Sequence, residues 1–188
     1  MKKPLAIIAG EPNSISSEII FKSWKLRKKY IHKPLFVIGS FQLLNLQKKK
    51  LKYNLNLKKI DENFKANDLI GHKLPVYDIE YNQKKHFQKI SNKSNKYIFS
   101  SFNKALSLIK KEKILGFINC PVSKESLFKH NHQGITEFLS KKAGKKNNEV
   151  MLIYNKKLSV SPLTTHIPLK KVSRKINQQE IVKKVIGS

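Results

Sequence analysis

Arginine is nearly missing from this chain. Arg27 and Arg174 stand against 37 lysines, with 12 acidic residues and a formal net charge of +27 over 188 residues. Dedicated nucleic-acid surfaces lean on arginine for bidentate base and phosphate contacts, and on interleaved aromatics for stacking. Neither pattern is visible, and the lysines are scattered over nearly every segment rather than gathered in a stripe. They read as solvated side chains on helix faces, with a weak, salt-sensitive attraction for polyanions and a positive field that draws in a phosphorylated substrate. Cysteine is down to Cys120, which excludes an internal disulfide. No apolar run reaches the roughly 18 residues of a membrane-spanning helix. The basic start, Met1-Lys2-Lys3, is followed by too short an apolar run for a signal-peptide core, so a reducing, cytoplasmic setting is expected. His72 and His86 lack ligand spacing to any other histidine and read as surface residues.

What the chain does have is a series of short apolar runs ended by turn residues. At 21.8 kDa it can bury one substantial core or two small lobes without a metal or disulfide to hold it. The run on which the others centre is Ile114-Leu115-Gly116-Phe117-Ile118-Asn119, which breaks into Cys120-Pro121-Val122-Ser123-Lys124 and then Gly134-Ile135-Thr136-Glu137-Phe138. It reads as a buried central strand, covered on both faces, that delivers a polar loop to a site. In open α/β sheets ligands gather beyond the carboxyl ends of such strands, which makes Lys124 and Thr136 the first candidates. Thr136 can equally cap its own helix, with Glu137 favourable in the first turn. Cys120 reads as a small core residue.

From the start, Leu5 to Ala9 predicts a strand and Gly10-Glu11-Pro12-Asn13-Ser14 the turn out of it. A helix follows, capped by Ser14, Ser16 or Ser17, with Ile15, Ile19, Ile20 and Trp24 on one face. Leu35 to Gly39 predicts a second strand, and Ser40 opens a helix toward Lys50. Two further strands are expected at Asn56 to Ile60 and Leu74 to Ile79, and an exposed, lysine-rich connection from Tyr81 to Asn95. Asn95 to Lys113 repeats Ile98, Phe102, Ala105, Leu106 and Ile109 at helical spacing. Short helices are expected from Lys124 to Lys129 and from Thr136 to Ala143, then strands at Val150 to Tyr154 and Leu158 to Leu163 around a turn at Asn155-Lys156-Lys157. Asn177 caps a last helix carrying Ile181, Val182, Val185 and Ile186. Alternating strands and helices predict a mostly parallel sheet with right-handed crossovers.

Four motifs, in order and approximate spacing, resemble those of the 4-hydroxythreonine-4-phosphate dehydrogenase family of vitamin B6 biosynthesis. They are Gly10-Glu11-Pro12, Pro121-Val122-Ser123-Lys124, Gly134-Ile135-Thr136-Glu137-Phe138 and Thr164-Thr165-His166-Ile167-Pro168-Leu169. The resemblance implies a three-layer α/β/α architecture like that of isocitrate and isopropylmalate dehydrogenases, with two lobes, about 1–118 and 119–188. It implies oxidation of the secondary alcohol of 4-phosphohydroxy-L-threonine with NAD as acceptor, followed by decarboxylation. A divalent cation (zinc, magnesium or cobalt) is implied as a second cofactor, with His166 matching a metal ligand, Thr136 a substrate-contacting threonine and Lys124 a partner for phosphate or carboxylate. The implied partners are a phosphorylated small molecule and, in the complete protein, a second copy; no specific nucleic acid is expected.

The chain departs from the family pattern in three places. Ile135 stands where the usual Gly-His-Thr-Glu has histidine. Asn13-Ser14-Ile15-Ser16-Ser17 replaces Ala-Gly-Ile-Gly-Pro, losing glycines that permit close backbone approach. The resemblance also covers only the first part of a family member, so the chain is expected to be the front portion of such an enzyme, a fragment inactive alone. Two other readings compete: a lysine-rich nucleic-acid-binding protein, which predicts tight binding steeply dependent on salt, and an inactive family member serving as a binding subunit.

Overall fold

The computed structural model describes residues 3–30, 33–128, 134–144, 149–165 and 167–186. The chain divides into two compact units, residues 1–131 and 132–188. The first is built on a five-stranded sheet: β1 (Leu5–Ile8), β2 (Leu35–Gly39), β3 (Leu57–Ile60), β4 (Leu74–Asp78) and β5 (Gly116–Asn119). Its order is β3-β4-β2-β1-β5 and all four pairings are parallel. Helices α1 (Ser16–Tyr30), α2 (Phe41–Lys50), α3 (Asn95–Lys110) and α4 (Lys124–Phe128) belong to the same unit.

Side-chain alternation along the strands explains the layering. Ile7 and Ala9, Leu35 and Val37, and Leu74 and Val76 cluster with Ile20, Phe21 and Trp24 of α1 and Leu44 of α2. Alternate residues Ala6 and Phe117, paired in register, point to the other face, where Phe102 of α3 lies 6.2 Å from Phe117, ring centre to ring centre. Ile98, Phe102 and Ala105 lie on the buried stripe of α3, as the helical spacing predicts, but Leu108 completes it, while Leu106 and Ile109 are only half-buried. Ser40 caps α2 by accepting from the Leu43 amide at 3.3 Å.

Several expectations need correcting. The central strand is β2, buried at all five positions, whereas β5 stands at one end of the order. Its register places Ile118 beside Ile7, on the face carrying α1 and α2, yet Ile118 remains 56% exposed. A short apolar run therefore signals a strand here without signalling cover on both faces. In α1 the buried face is Ile20, Phe21 and Trp24, while Ile19, and Ile15 just before the helix, face solvent. The segment from Tyr81 to Asn95 is not simply an exposed connection, because Gln83 and Ser94 are buried.

The second unit holds α5 (Ile135–Lys142), α6 (Val172–Lys175) and α7 (Gln178–Ile186). Instead of two strands, residues 150–163 form one antiparallel bridge, Ile153 with Val160, closed by Asn155 N–H donating to Leu158 O at 3.1 Å. The expected turn is there, but the pairing does not extend. Asn177 Oδ1 accepts from the Glu180 amide at 2.9 Å, the anticipated cap of α7. No described helix is long and apolar enough to cross a membrane.

Candidate functional site

β1 leads by way of α1 to β2 on one side, while β5 pairs with β1 on the other. The order of connections reverses at that point, and a parallel sheet opens its ligand crevice beyond the carboxyl ends of the two strands concerned. The loops leaving β1 and β5 are therefore the ones to build from.

They are joined backbone to backbone. Cys120 N–H donates to Ile8 O and Glu11 N–H to Pro121 O, each at 2.9 Å. Gly10 makes the approach possible: its φ is +69°, and a Cβ there would lie 2.5 Å from Pro121 O and 2.8 Å from Cys120 O. Cys120 is buried beneath this junction, and burial pushes its thiol up to about 11. It is a core residue, as the sequence reading has it.

Glu11 holds the junction from inside. Only 1% of the residue is exposed. Its Oε1 accepts from the Asn13 amide at 3.1 Å and its Oε2 from Ser94 Oγ at 2.8 Å. Ser94 immediately precedes α3, so the carboxylate lies beside the start of that helix. The next residue, Asn95, donates from Nδ2 to Ser126 O of α4 at 2.8 Å. Two consecutive residues at the start of α3 thus bind the loop after β1 and the helix after β5. Burial, with Glu11 nearby, raises the Tyr81 phenol.

Of the residues that replace the family's alanine, glycines and proline, Asn13, Ser14 and Ser16 make new hydrogen bonds, whereas the buried Ser17 hydroxyl makes none among the described residues. Asn13 Oδ1 accepts from Gln83 Nε2 at 2.9 Å and from the Gln88 amide at 2.8 Å, tying the loop to the segment between β4 and α3. Ser14 Oγ donates to Glu11 O and also meets Ser16 Oγ, both at 2.8 Å, while Ser16 Oγ donates to Pro121 O at 3.3 Å. The close approach survives at Gly10, and hydroxyls fill what glycines leave open elsewhere. Beneath lies a small cavity of about 10 Å³ of mixed lining, polar at Glu11, Ser17, Ser40 and Gln47 and apolar at Leu43 and Leu44. Tyr97 is fully buried, its phenol raised by desolvation, and Gly39 gives it room: a Cβ there would sit 2.9 Å from the hydroxyl.

From this junction Ser123 Oγ accepts the Ser126 amide at 3.2 Å and opens α4. Lys124 is the first residue of α4 and is exposed, with no hydrogen bond or ion pair among the described residues. An unengaged ammonium beyond β5 is placed to meet an anionic group.

Within the second unit, Thr136 is exposed and is the second residue of α5. It does not cap the helix: Gly134 is the N-cap. The carboxylate of Glu137 folds back over Gly134, where a Cβ would come within 2.4 Å of Oε2. The Thr136 hydroxyl is therefore not needed by the cap. Thr164 and Thr165 line a cavity of about 600 Å³ together with Arg174, Lys175 and Lys183. His166 lies outside the described residues.

Sequence reasoning missed Ser94, Asn95 and Gln83. Ser94 and Asn95 carry a weak signal, being polar residues at the head of a strongly amphipathic helix, where caps and loop contacts concentrate. Nothing local marks Gln83.

The parallel sheet with helices on both faces and its paired loops at the reversal define an α/β protein with its ligand crevice beyond β1 and β5. The chain belongs to the family described as "Pyridoxal phosphate biosynthetic protein PdxA", whose profile matches residues 31–186. It is 33% identical to the 4-hydroxythreonine-4-phosphate dehydrogenase of Aquifex aeolicus, over 98% of this chain and 56% of that one. It is 32% identical to the enzyme of the same name from a Sulfurihydrogenibium species, over 96% and 55%. Its fold matches the crystal structure of a 4-hydroxythreonine-4-phosphate dehydrogenase from Burkholderia phymatum, with a TM-score of 0.86 at 20% identity, covering 99% of this chain and 57% of that one. The chain spans about half the length of the curated relatives it matches.

Proposed function

We propose that this protein serves the oxidation of 4-phosphohydroxy-L-threonine in vitamin B6 biosynthesis. The secondary alcohol becomes a ketone with NAD as acceptor, and the neighbouring carboxylate is then lost as carbon dioxide. The observation that carries this reading is the family match over residues 31–186, which spans the loop bearing Lys124, the start of α5 and the Thr164-Thr165-His166 motif. Lys124 takes the phosphate or carboxylate of the substrate as a point charge, and Thr136 offers a hydroxyl unclaimed by its helix cap.

The family reading adds a divalent metal, zinc, magnesium or cobalt, with His166 as one ligand. A catalytic site of this kind takes about three protein ligands and keeps a position open. Among the described residues no group of three or more His, Cys, Asp or Glu could hold an ion. Those residues do not fit a metal on their own. Nor does the turn after β1, with Glu11 and Pro12 following Gly10, form a glycine fingerprint for a dinucleotide. What these residues do is bind and orient the substrate. A cytoplasmic setting and a homodimer in the complete protein belong to the same reading.

Ile135, the first residue of α5, favours a second reading, a binding subunit without turnover, because an apolar side chain stands where the family has imidazole. In a preparation of the complete protein, calorimetric titration with 4-phosphohydroxy-L-threonine, followed by measurement of NADH formation, separates the two. Binding with NADH formation supports the enzyme, and binding alone supports the subunit. Absence of binding, or binding unchanged in Lys124→Ala and Thr136→Ala, overturns both.

A further inference from the structure

A second place in the first unit is built to hold a ligand, and it lies at the other end of the sheet. It is a cavity of about 500 Å³ beside the first residue of β2, Leu35, and the turn that precedes β4. Trp24, Leu35 and Leu69 supply apolar wall, and Arg27, Lys28 and Lys33 supply positive charge. A volume of several hundred Å³ with apolar walls and a few placed charges is what small-molecule sites present.

Arg27 is what sets this cavity apart from other lysine-rich surface. Its guanidinium carbon lies 3.7 Å from the centre of the Trp24 ring. Nη1 donates to Trp24 O at 2.7 Å and Nη2 to Gly71 O at 2.8 Å, while Trp24 Nε1 donates to His72 O at 3.3 Å. The cation is thereby fixed in place before any ligand arrives, where a lysine would swing freely. Two of its five N–H donors are used by those carbonyls, which leaves three for an incoming anion. Among the described residues none of Arg27, Lys28 and Lys33 pairs with a carboxylate. Among the described residues no acidic side chain lines the cavity.

We propose that this cavity binds a small organic anion, a phosphate or carboxylate carried on a compact apolar body, with Arg27 as the anchoring cation. The anionic head meets Arg27, Lys28 and Lys33, and the apolar body lies along Leu35 and Leu69. The cavity opens at the amino-terminal ends of the strands, so its occupant is separate from anything held by the loops after β1 and β5. This inference does not depend on the proposed dehydrogenase reaction.

Trp24 is the single tryptophan of the chain, so its emission reports on this cavity alone. The experiment is a fluorescence titration of the whole chain with phenyl phosphate, alongside inorganic phosphate and phenol. Phenyl phosphate is expected to change the Trp24 emission saturably, at lower concentration than either control, with the midpoint rising as salt is added. In Lys28→Ala and Lys33→Ala, which leave the tryptophan contacts intact, the midpoint is expected to rise about threefold to tenfold for each lost charge. Arg27→Lys keeps the charge but loses the fixed geometry, and the midpoint is expected to rise by about tenfold or more. Circular dichroism checks that each variant is folded. No saturable change up to about 10 mM phenyl phosphate, a regime weaker than useful small-ligand binding, would overturn the proposal. So would equal midpoints in the parent and the three folded variants.

Discussion

Ser94 Oγ donates to Glu11 Oε2 across 2.8 Å, and the two residues are 83 positions apart in the chain. One is in the first loop of the sheet and the other at the head of α3, and both are almost completely buried. Because Glu11 N–H also reaches Pro121 O, this bond makes the loop after β1 the link between α3 and the loop that carries Lys124.

Replacing Glu11 by alanine leaves the Asn13 amide without its side-chain acceptor, while Ser94 Oγ keeps only Ser91 O, at 3.0 Å. The two lost hydrogen bonds, one of them replaceable, predict a loss of about 1–3 kcal/mol in urea unfolding. Glu11→Gln retains one acceptor oxygen and is expected to lose about half as much. A change below about 0.5 kcal/mol for Glu11→Ala would show that the carboxylate does not hold the junction.

Gly10→Ala meets two obstacles together, a left-handed backbone and a Cβ 2.5 Å from a carbonyl oxygen of another strand's loop. The expected cost exceeds about 2 kcal/mol. Gly71→Ala is the control, having open space around it despite a φ of +112°. If both variants unfold at the same urea concentration, the approach of the two loops is not what demands glycine at position 10.

Cys120 should resist alkylation. With its thiol raised to about 11 and the residue buried, almost no reactive thiolate is present in the folded protein at pH 8. Iodoacetamide is expected to label it rapidly in urea and at least about a hundredfold more slowly in the native state. Comparable rates in both states would place the thiol in solvent.

Glu62 connects the segment after β3 to α3, accepting from Lys111 and from Lys104, the latter at 3.3 Å. Those lysines hold its carboxyl down to about 2, against an ordinary value of 4.5. The unfolded chain therefore takes up this proton first as pH falls. The stabilisation is whole above about pH 5 and disappears as pH falls toward 2. Urea midpoints of the parent and Glu62→Gln should differ at pH 7, less so in high salt, and converge near pH 2. A gap that persists unchanged at pH 2 rules out the charge as its source.

Much of the first unit was legible in the sequence because its signals are local. The strands at Leu5, Leu35, Leu57, Leu74 and Gly116, the spacing of α3 and the caps at Ser40 and Asn177 all depend on neighbours in the chain. Strand order does not. Nothing within residues 114–119 distinguishes a strand in mid-sheet from one at the end of the order, so the cover over Ile118 was overestimated. In the same way the lysines of Tyr81 to Asn95 point to a solvent-facing segment, although Gln83 and Ser94 turn inward to Asn13 and Glu11. For the site, residue types mark the loops at Gly10-Glu11-Pro12 and Pro121 to Lys124, but nothing in them says that the two loops are joined. The role of Glu11 as the inner fastening, and of Ser14 and Ser16 as substitutes for glycine, needed coordinates.

The pairing of β1 with β5 also has a consequence for the order in which the molecule is made. Leu5 pairs with Leu35 on one side and with Gly116 on the other. On a ribosome adding about 5–20 residues per second, one edge of β1 waits several seconds longer than the other for its partner. During that interval β1 through β4 can assemble while β1 presents bare backbone donors and acceptors. Closing a loop of this span slows folding more than it weakens the finished structure, so the last step to complete the sheet is also the step that first brings Lys124 into position.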